Sequence, residues 1–172
     1  MADQDLVRLT AIELRDRMAA NELSPVEVLE AFIARIEALN PALNAVTATC
    51  YERARAEARE AERRQRAGEK PGPLHGLPFA VKDLENTAGV LTTYGSPLFK
   101  DFVPEHDSVM VARVRKAGAI MVGKTNTPEF GAGANTRNPV WGATGNPFDP
   151  MRTCGGSSGG SASALAGDML PL

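Results

Sequence analysis

A run of glycines around two adjacent serines is the part of this chain best suited to chemistry. The run reads Gly155-Gly156-Ser157-Ser158-Gly159-Gly160, and Val81-Lys82-Asp83 lies far upstream. Glycines permit positive φ angles and leave backbone amides free to point at a developing anion. The residue types therefore predict a catalytic loop with serine hydroxyls, and a lysine that could act on them from a distance.

A flexible Gly/Ser linker is the alternative interpretation of this run. Linkers are repetitive and are bounded by polar or Pro-rich sequence, which this run is not. Helix-compatible residues from Ser161 to Ala166 follow it directly, and Gly167 ends them. The glycines are therefore predicted to lead into a helix N-terminus, where backbone donors and the dipole favour negative charge.

Lys82 follows a compact apolar stretch, Leu77 to Val81, that is typical of a buried strand. A lysine at such a position loses hydration, which disfavours the ammonium and can leave an amine able to accept a proton. The local sequence equally allows Lys82 to pair with Asp83 or to extend to water.

Five separate segments, in this order, resemble the amidase signature family. They are His75 to Asp83, Gly123-Lys124-Thr125-Asn126, Asn138-Pro139-Val140-Trp141-Gly142, Gly145-Asn146-Pro147 and the Gly/Ser run. The resemblance implies a mixed β-sheet covered by helices, with Lys82 as the base and Ser157 as a relay held by a cis peptide bond. It also implies that Ser158 keeps the network in register and that Gly131 lines the substrate channel.

The family's nucleophilic serine lies roughly two dozen residues beyond the first serine of the run, and this chain stops at Leu172. The resemblance therefore implies the N-terminal part of a single amidase signature domain over 1–172. A helical region is expected over about 1–67, and the α/β core over about 74–172. In the whole enzyme, the expected reaction is hydrolysis of a carboxamide through a serine ester.

The element pattern agrees with an α/β layer fold. The following features carry the prediction: capping boxes at Thr10/Glu13 and Ser24/Glu27, an apolar helix ending at Asn40-Pro41, a short strand within Asn44 to Cys50, a charged helix from Tyr51 to Ala67 with Glu60/Arg64 and Glu62/Arg66 pairs, a helix capped by Asp107 and ending at Lys116, and a strand from Ala119 to Val122. Trp141 is expected to pack under the loop from Gly131 to Gly145 rather than to stack on substrate.

Two tempting motifs are rejected. Gly118 to Thr125 satisfies the Walker A expression, but the supposed phosphate loop is itself an apolar strand preceded by a helix. Cys154 lies near Ser157, but its neighbours supply no evident base for a thiolate nucleophile.

The composition and the termini limit the other functions. Two histidines, without a carboxylate arrangement or a His/Cys cluster, favour neither a Ser-His-Asp triad nor a metal site, and no cofactor is expected. A net charge of −2 gives no basic field for direct nucleic-acid or membrane binding. The acidic start, Met1 to Asp5, resembles neither a signal nor a transit peptide, so a cytoplasmic setting is expected.

A small-molecule amide is therefore the expected partner, and the full-length enzyme could form a homodimer. Two other functions stay open. The A subunit of a tRNA-dependent amidotransferase shares the family motifs but usually has Lys-Asp-Asn and Asp-Glu-Phe-Ala-Met-Gly. Here these segments read Lys82-Asp83-Leu84 and Pro128-Glu129-Phe130-Gly131-Ala132-Gly133, which favours a stand-alone amidase. A non-catalytic remnant or a complementing half-chain is the other alternative.

Overall fold

The computed structural model describes residues 6–172, so the acidic start at Met1 to Asp5 lies outside the described residues. The helices are α1 (Ala11–Ala19), α2 (Pro25–Leu43), α3 (Tyr51–Arg66), α4 (Val109–Lys116) and α5 (Gly159–Ala166). The strands are β1 (Val46–Thr49), β2 (Pro78–Lys82), β3 (Ile120–Thr125), β4 (Arg137–Asn138), β5 (Gly142–Ala143), β6 (Gly145–Asn146) and β7 (Asp149–Thr153). Short 3₁₀ turns occur at Pro97–Phe99 and Glu129–Gly131.

Both predicted capping boxes are present. The Thr10 and Ser24 side chains accept from the backbone amides of Glu13 and Glu27, whose carboxylates accept from the cap amides in return. The predicted pairs on α3 also form, with Glu60–Arg64 at 2.8 Å and Glu62–Arg66 at 3.1 Å. These are local patterns, in which residues three or four apart meet on one helix face.

The predicted end of α2 at Asn40-Pro41 is wrong, because the helix continues to Leu43 and ends on Asn44 in the left-handed conformation. The Asn40 side chain instead joins the helix to β1. Its Oδ1 accepts from the amides of Ala45 and Val46 at 2.9 and 2.8 Å, and its Nδ2 donates to the Val46 carbonyl at 2.7 Å. Asn40 thus fixes where the sheet begins relative to α2.

The main sheet has the order β1-β3-β2, with β3 antiparallel to β1 and parallel to β2. All six residues of β3 are buried. Phe79 pairs with Met121, but the register shifts by one residue after that pair, so that Val81 meets Lys124 and Lys82 meets Thr125. The strand predicted from Ala119 to Val122 runs from Ile120 to Thr125 in the structure, and this extension places Lys124 in the interior.

Asp107 does not cap α4 as predicted. Ser108 is the N-cap residue, and its hydroxyl accepts from the amide of Val111. Asp107 instead accepts from the Ala88 amide at 2.8 Å and pairs with Arg115 at 2.7 Å. The Asp107 carboxylate, one residue before the N-cap, therefore holds the segment that follows β2.

Apolar residues of α2, α3, β1 and β3 form one core, which also includes Ala164, Met169 and Leu170 near the end of the chain. The helices and the mixed sheet confirm the predicted α/β class. Across residues 6–172, every helix is too short or too polar to cross a bilayer.

Candidate active site

Lys82 and the two serines come together at the end of β2. The Lys82 Nζ lies 2.8 Å from Ser157 Oγ and 3.1 Å from Ser158 Oγ. Lys82 and Ser157 are half-buried, whereas Ser158 is exposed. Burial lowers the pKa of the Lys82 ammonium below its ordinary value, which makes the neutral, proton-accepting amine more accessible.

The Gly/Ser run has the backbone geometry that the sequence predicts. The Gly156–Ser157 peptide bond is cis, and α5 begins at Gly159 directly after the two serines. The Gly159 amide donates to Thr136 Oγ1 at 3.0 Å, and the Ser157 carbonyl accepts from Thr127 Oγ1 at 3.4 Å. The loop is therefore fixed to the segment that follows β3.

Close backbone approach explains two of the glycines. A Cβ on Gly156 would lie 2.9 Å from the Ala134 carbonyl carbon, and a Cβ on Gly160 would lie 2.9 Å from the Ala45 oxygen. The Asn126 backbone is closer still to Gly160. On the side facing the sheet, Ser161 Oγ lies 2.7 Å from Thr125 Oγ1. The start of α5 is thus packed directly against the backbone of the sheet.

Asp83 does not pair with Lys82, although it is the next residue. Its fully buried carboxylate accepts from Thr93 Oγ1 at 2.5 Å, from the Thr93 amide at 3.1 Å and from Trp141 Nε1 at 3.1 Å. Burial raises the pKa of Asp83, and these hydrogen bonds and the charge of Lys124 oppose that rise. The half-buried Trp141 thus anchors the loop by donating its indole N–H to the Asp83 carboxylate, a polar contact in addition to the predicted packing.

Lys124, which belongs to the rejected Walker A match and to one of the segments of the family resemblance but has no role assigned from the sequence, is a fully buried amine. Its Nζ donates to the carbonyl oxygen of Glu85 and to the hydroxyls of Thr87 and Thr92, the last two at 3.1 and 3.2 Å. The sequence feature that could have indicated a buried, hydrogen-bonded amine here is the position of a lysine within an otherwise apolar strand.

Gly131 and Cys154 do not join the lysine–serine cluster. Gly131 has φ +72°, and a Cβ there would meet Leu84 Cδ1 at 2.7 Å, so glycine is needed beside the residue that follows Lys82-Asp83. Its predicted place in a substrate channel stays a prediction. Burial raises the pKa of the Cys154 thiol, which is opposite to what a thiolate nucleophile requires.

Comparisons with known proteins agree with this geometry. The Amidase family model matches residues 27–172. The chain is 44% identical over all its 172 residues to an acylamidase from Rhodococcus erythropolis, of which it covers 36%. It is 42% identical over 168 residues to the A subunit of the glutamyl-tRNA(Gln) amidotransferase from Streptomyces coelicolor, with 98% of this chain and 34% of that protein aligned.

A solved structure of a bacterial aryl acylamidase, which belongs to the amidase signature enzymes, superposes with a TM-score of 0.90 and 34% identity. The match covers 94% of this chain and 34% of that one. The chain belongs to the amidase family, and it spans about a third of the length of these relatives.

Proposed function

We propose that the chain supplies the lysine base and the relay serine of an amidase that hydrolyses a small carboxamide. The observation that carries the proposal is the 2.8 Å contact between Lys82 Nζ and Ser157 Oγ, on a loop with a cis Gly156–Ser157 bond. The desolvated amine is positioned to accept a proton from that hydroxyl. The nucleophilic serine of the family would come from sequence beyond Leu172.

In this mechanism, the neutral Lys82 accepts the proton of Ser157, and Ser157 takes one from the nucleophilic serine as that oxygen attacks the amide carbonyl. Ser157 then returns a proton to the departing amine, so the C–N bond breaks and a serine ester remains. Water hydrolyses the ester, and the sum of the steps is amide plus water giving acid plus amine. Ser158, at 3.1 Å from the lysine, keeps Lys82 aligned during both transfers.

The test begins by reading the coding DNA past the Leu172 codon. The whole open reading frame is then expressed as the complete gene product. Hydrolysis is followed with 4-nitroacetanilide, whose amine product absorbs visible light, and with primary amides by ammonia release. The variants are Lys82→Ala and Ser157→Ala, and Lys100→Ala serves as an exposed control. Loss of the base should lower kcat by about 10²- to 10⁴-fold, because general base catalysis contributes that much.

Circular dichroism and thermal unfolding establish that each variant is folded. A folded Lys82→Ala protein with nearly normal turnover would contradict the assigned base. An open reading frame that stops after Leu172, together with no hydrolysis by the chain, would favour the non-catalytic remnant or half-chain.

The A subunit of a tRNA-dependent amidotransferase is a second candidate, which the 42% identity to the Streptomyces coelicolor protein favours. Leu84 and the segment Pro128 to Gly133 depart from the motifs usual in those subunits. Glutamine with ammonia release as the readout separates the two functions. Hydrolysis of glutamine that depends on added partner subunits, with no turnover of simple amides, would favour the amidotransferase.

A further inference from the structure

Lys124 is a buried amine that the proposed reaction does not use. Its three N–H donors have three oxygen partners, namely the Glu85 carbonyl and the hydroxyls of Thr87 and Thr92. An ammonium has three donors and no acceptor, so this arrangement satisfies the charged form completely. The two threonines are themselves fully buried, and the three oxygens together form a polar cage around Nζ.

The cage joins residues that are far apart in the chain. Lys124 lies on β3, and its partners lie in the segment that follows β2, 39, 37 and 32 residues away. Burial lowers the pKa of Lys124 to about 8, and the nearby Asp83 carboxylate is the first of the charges that oppose this fall. At neutral pH the group therefore remains an ammonium.

The Thr92-Thr93 dipeptide lies between the two buried charges. Thr92 Oγ1 accepts from the Lys124 ammonium, whereas the amide and hydroxyl of Thr93 donate to the Asp83 carboxylate. Trp141 Nε1 donates to both the Asp83 carboxylate and Thr93 Oγ1. Hydrogen bonds therefore connect Lys124 to Asp83 through two neighbouring residues.

Asp83 in turn follows Lys82 directly. The Asp83 amide donates to the Thr125 carbonyl at 2.9 Å, so Asp83 is held by its backbone as well as by its side chain. Asp83 is the first residue after β2, and its carboxylate is held by Thr93 and Trp141, whereas the Lys82 amine contacts the serines. The 2.8 Å contact between Lys82 and Ser157 thus begins one residue before that anchor.

We propose that Lys124 is a positioning residue, whose buried ammonium acts as a tethered cation that organises residues 83–93 and thereby holds Lys82 against Ser157. This inference rests on the proposed amidase function. It assigns to the lysine of Gly123-Lys124-Thr125 a role in catalysis without contact with substrate.

The test uses chemical replacement of the amine in the complete gene product. Lys124→Ala removes Cγ, Cδ, Cε and Nζ, which together have the shape of n-propylamine, so n-propylammonium can refill the cage. We expect kcat to fall about tenfold or more with little change in KM, because Lys82 would be misaligned with Ser157 while the contacts to substrate stay intact. Added n-propylammonium should restore kcat, whereas n-propanol, which fills the same space without the charge, should not.

A second readout does not depend on activity. The indole N–H resonance of Trp141, assigned by its loss in Trp141→Phe, should be protected from hydrogen exchange in the wild type. It should exchange faster in Lys124→Ala and regain protection with n-propylammonium. Lys116→Ala, an exposed lysine at the end of α4, serves as the control for loss of a positive charge.

Lys124→Met keeps the apolar stem and guards against an Ala variant that fails to fold. A folded Lys124→Met protein with normal kcat and a protected indole would overturn the inference. Equal rescue by n-propanol would also overturn it, because the charge would then be irrelevant. A wild-type protein without amidase activity would refute the proposed function, and the indole exchange would still decide whether Lys124 organises the segment.

Discussion

Gly160→Ala should separate the lysine from its serines, because the start of α5 is in contact with backbone that cannot move aside. The new Cβ would lie 2.5 Å from the Asn126 carbonyl oxygen and 2.9 Å from the Ala45 oxygen, whereas ordinary contact begins at 3.4 Å, so α5 must retreat by about 0.9 Å. If Ser158 moves away from Lys82 by half of that shift, their 3.1 Å contact lengthens to more than 3.5 Å, beyond hydrogen-bonding distance. Overpacking of this kind costs about 1–3 kcal/mol of stability.

Loss of one hydrogen bond to a charged group costs about 1.5–3 kcal/mol, which corresponds to roughly a 10- to 150-fold fall in kcat. Steady-state kinetics of the complete gene product and urea unfolding measure the two effects. Ala162→Gly is the matched control, since Ala162 is exposed on the same helix and its replacement costs only about 1 kcal/mol through helix propensity. Normal kcat in Gly160→Ala, with the control behaving as expected, would refute the reasoning.

Two further predictions concern the ionisation of Lys82 and the roles of the serines. The amidase rate should rise with pH and reach a plateau, because only the neutral Lys82 accepts a proton. Burial lowers the pKa of Lys82, so the midpoint of the rise should fall below the ordinary lysine value of about 10.4. A flat profile of kcat/KM against pH would contradict this. The chain of 172 residues should not be labelled by a fluorophosphonate probe, since Ser157 is a relay rather than the nucleophile; stoichiometric labelling at Ser157 or Ser158, located by mass spectrometry, would show that the serines are assigned wrongly.

Local features of the fold could be predicted from the sequence because their partners lie within one helical turn. The capping boxes at Thr10 and Ser24 and the charged pairs on α3 are of this kind. The end of α2 was predicted three residues too early, because Pro41 in the last turn is tolerated and the Asn40 side chain holds the following strand. The cap of α4 was misplaced by one residue, because Asp107 has a partner in Arg115.

The candidate site divides in the same way. Lys82, Ser157 and the cis bond were predicted through the family resemblance, and the structure brings the two side chains together. The Asp83–Trp141 contact spans 58 residues, and the cage around Lys124 spans more than 30, so no local pattern could name the partners of either group. The sequence allows Asp83 as a partner for Lys82, but the Asp83 carboxylate is taken up by Thr93 and Trp141 instead.

The register shift in the main sheet decides which lysine faces which side. Continuing the Phe79–Met121 pairing without interruption would set Lys82 directly beside Lys124, since both lie three residues further along their strands. Two amines would then compete for one face, and like charges at adjacent sheet positions repel each other. The single unpaired residue on β3 places Val81 beside Lys124 instead. A one-residue irregularity thus keeps the two lysines on opposite faces of the same sheet.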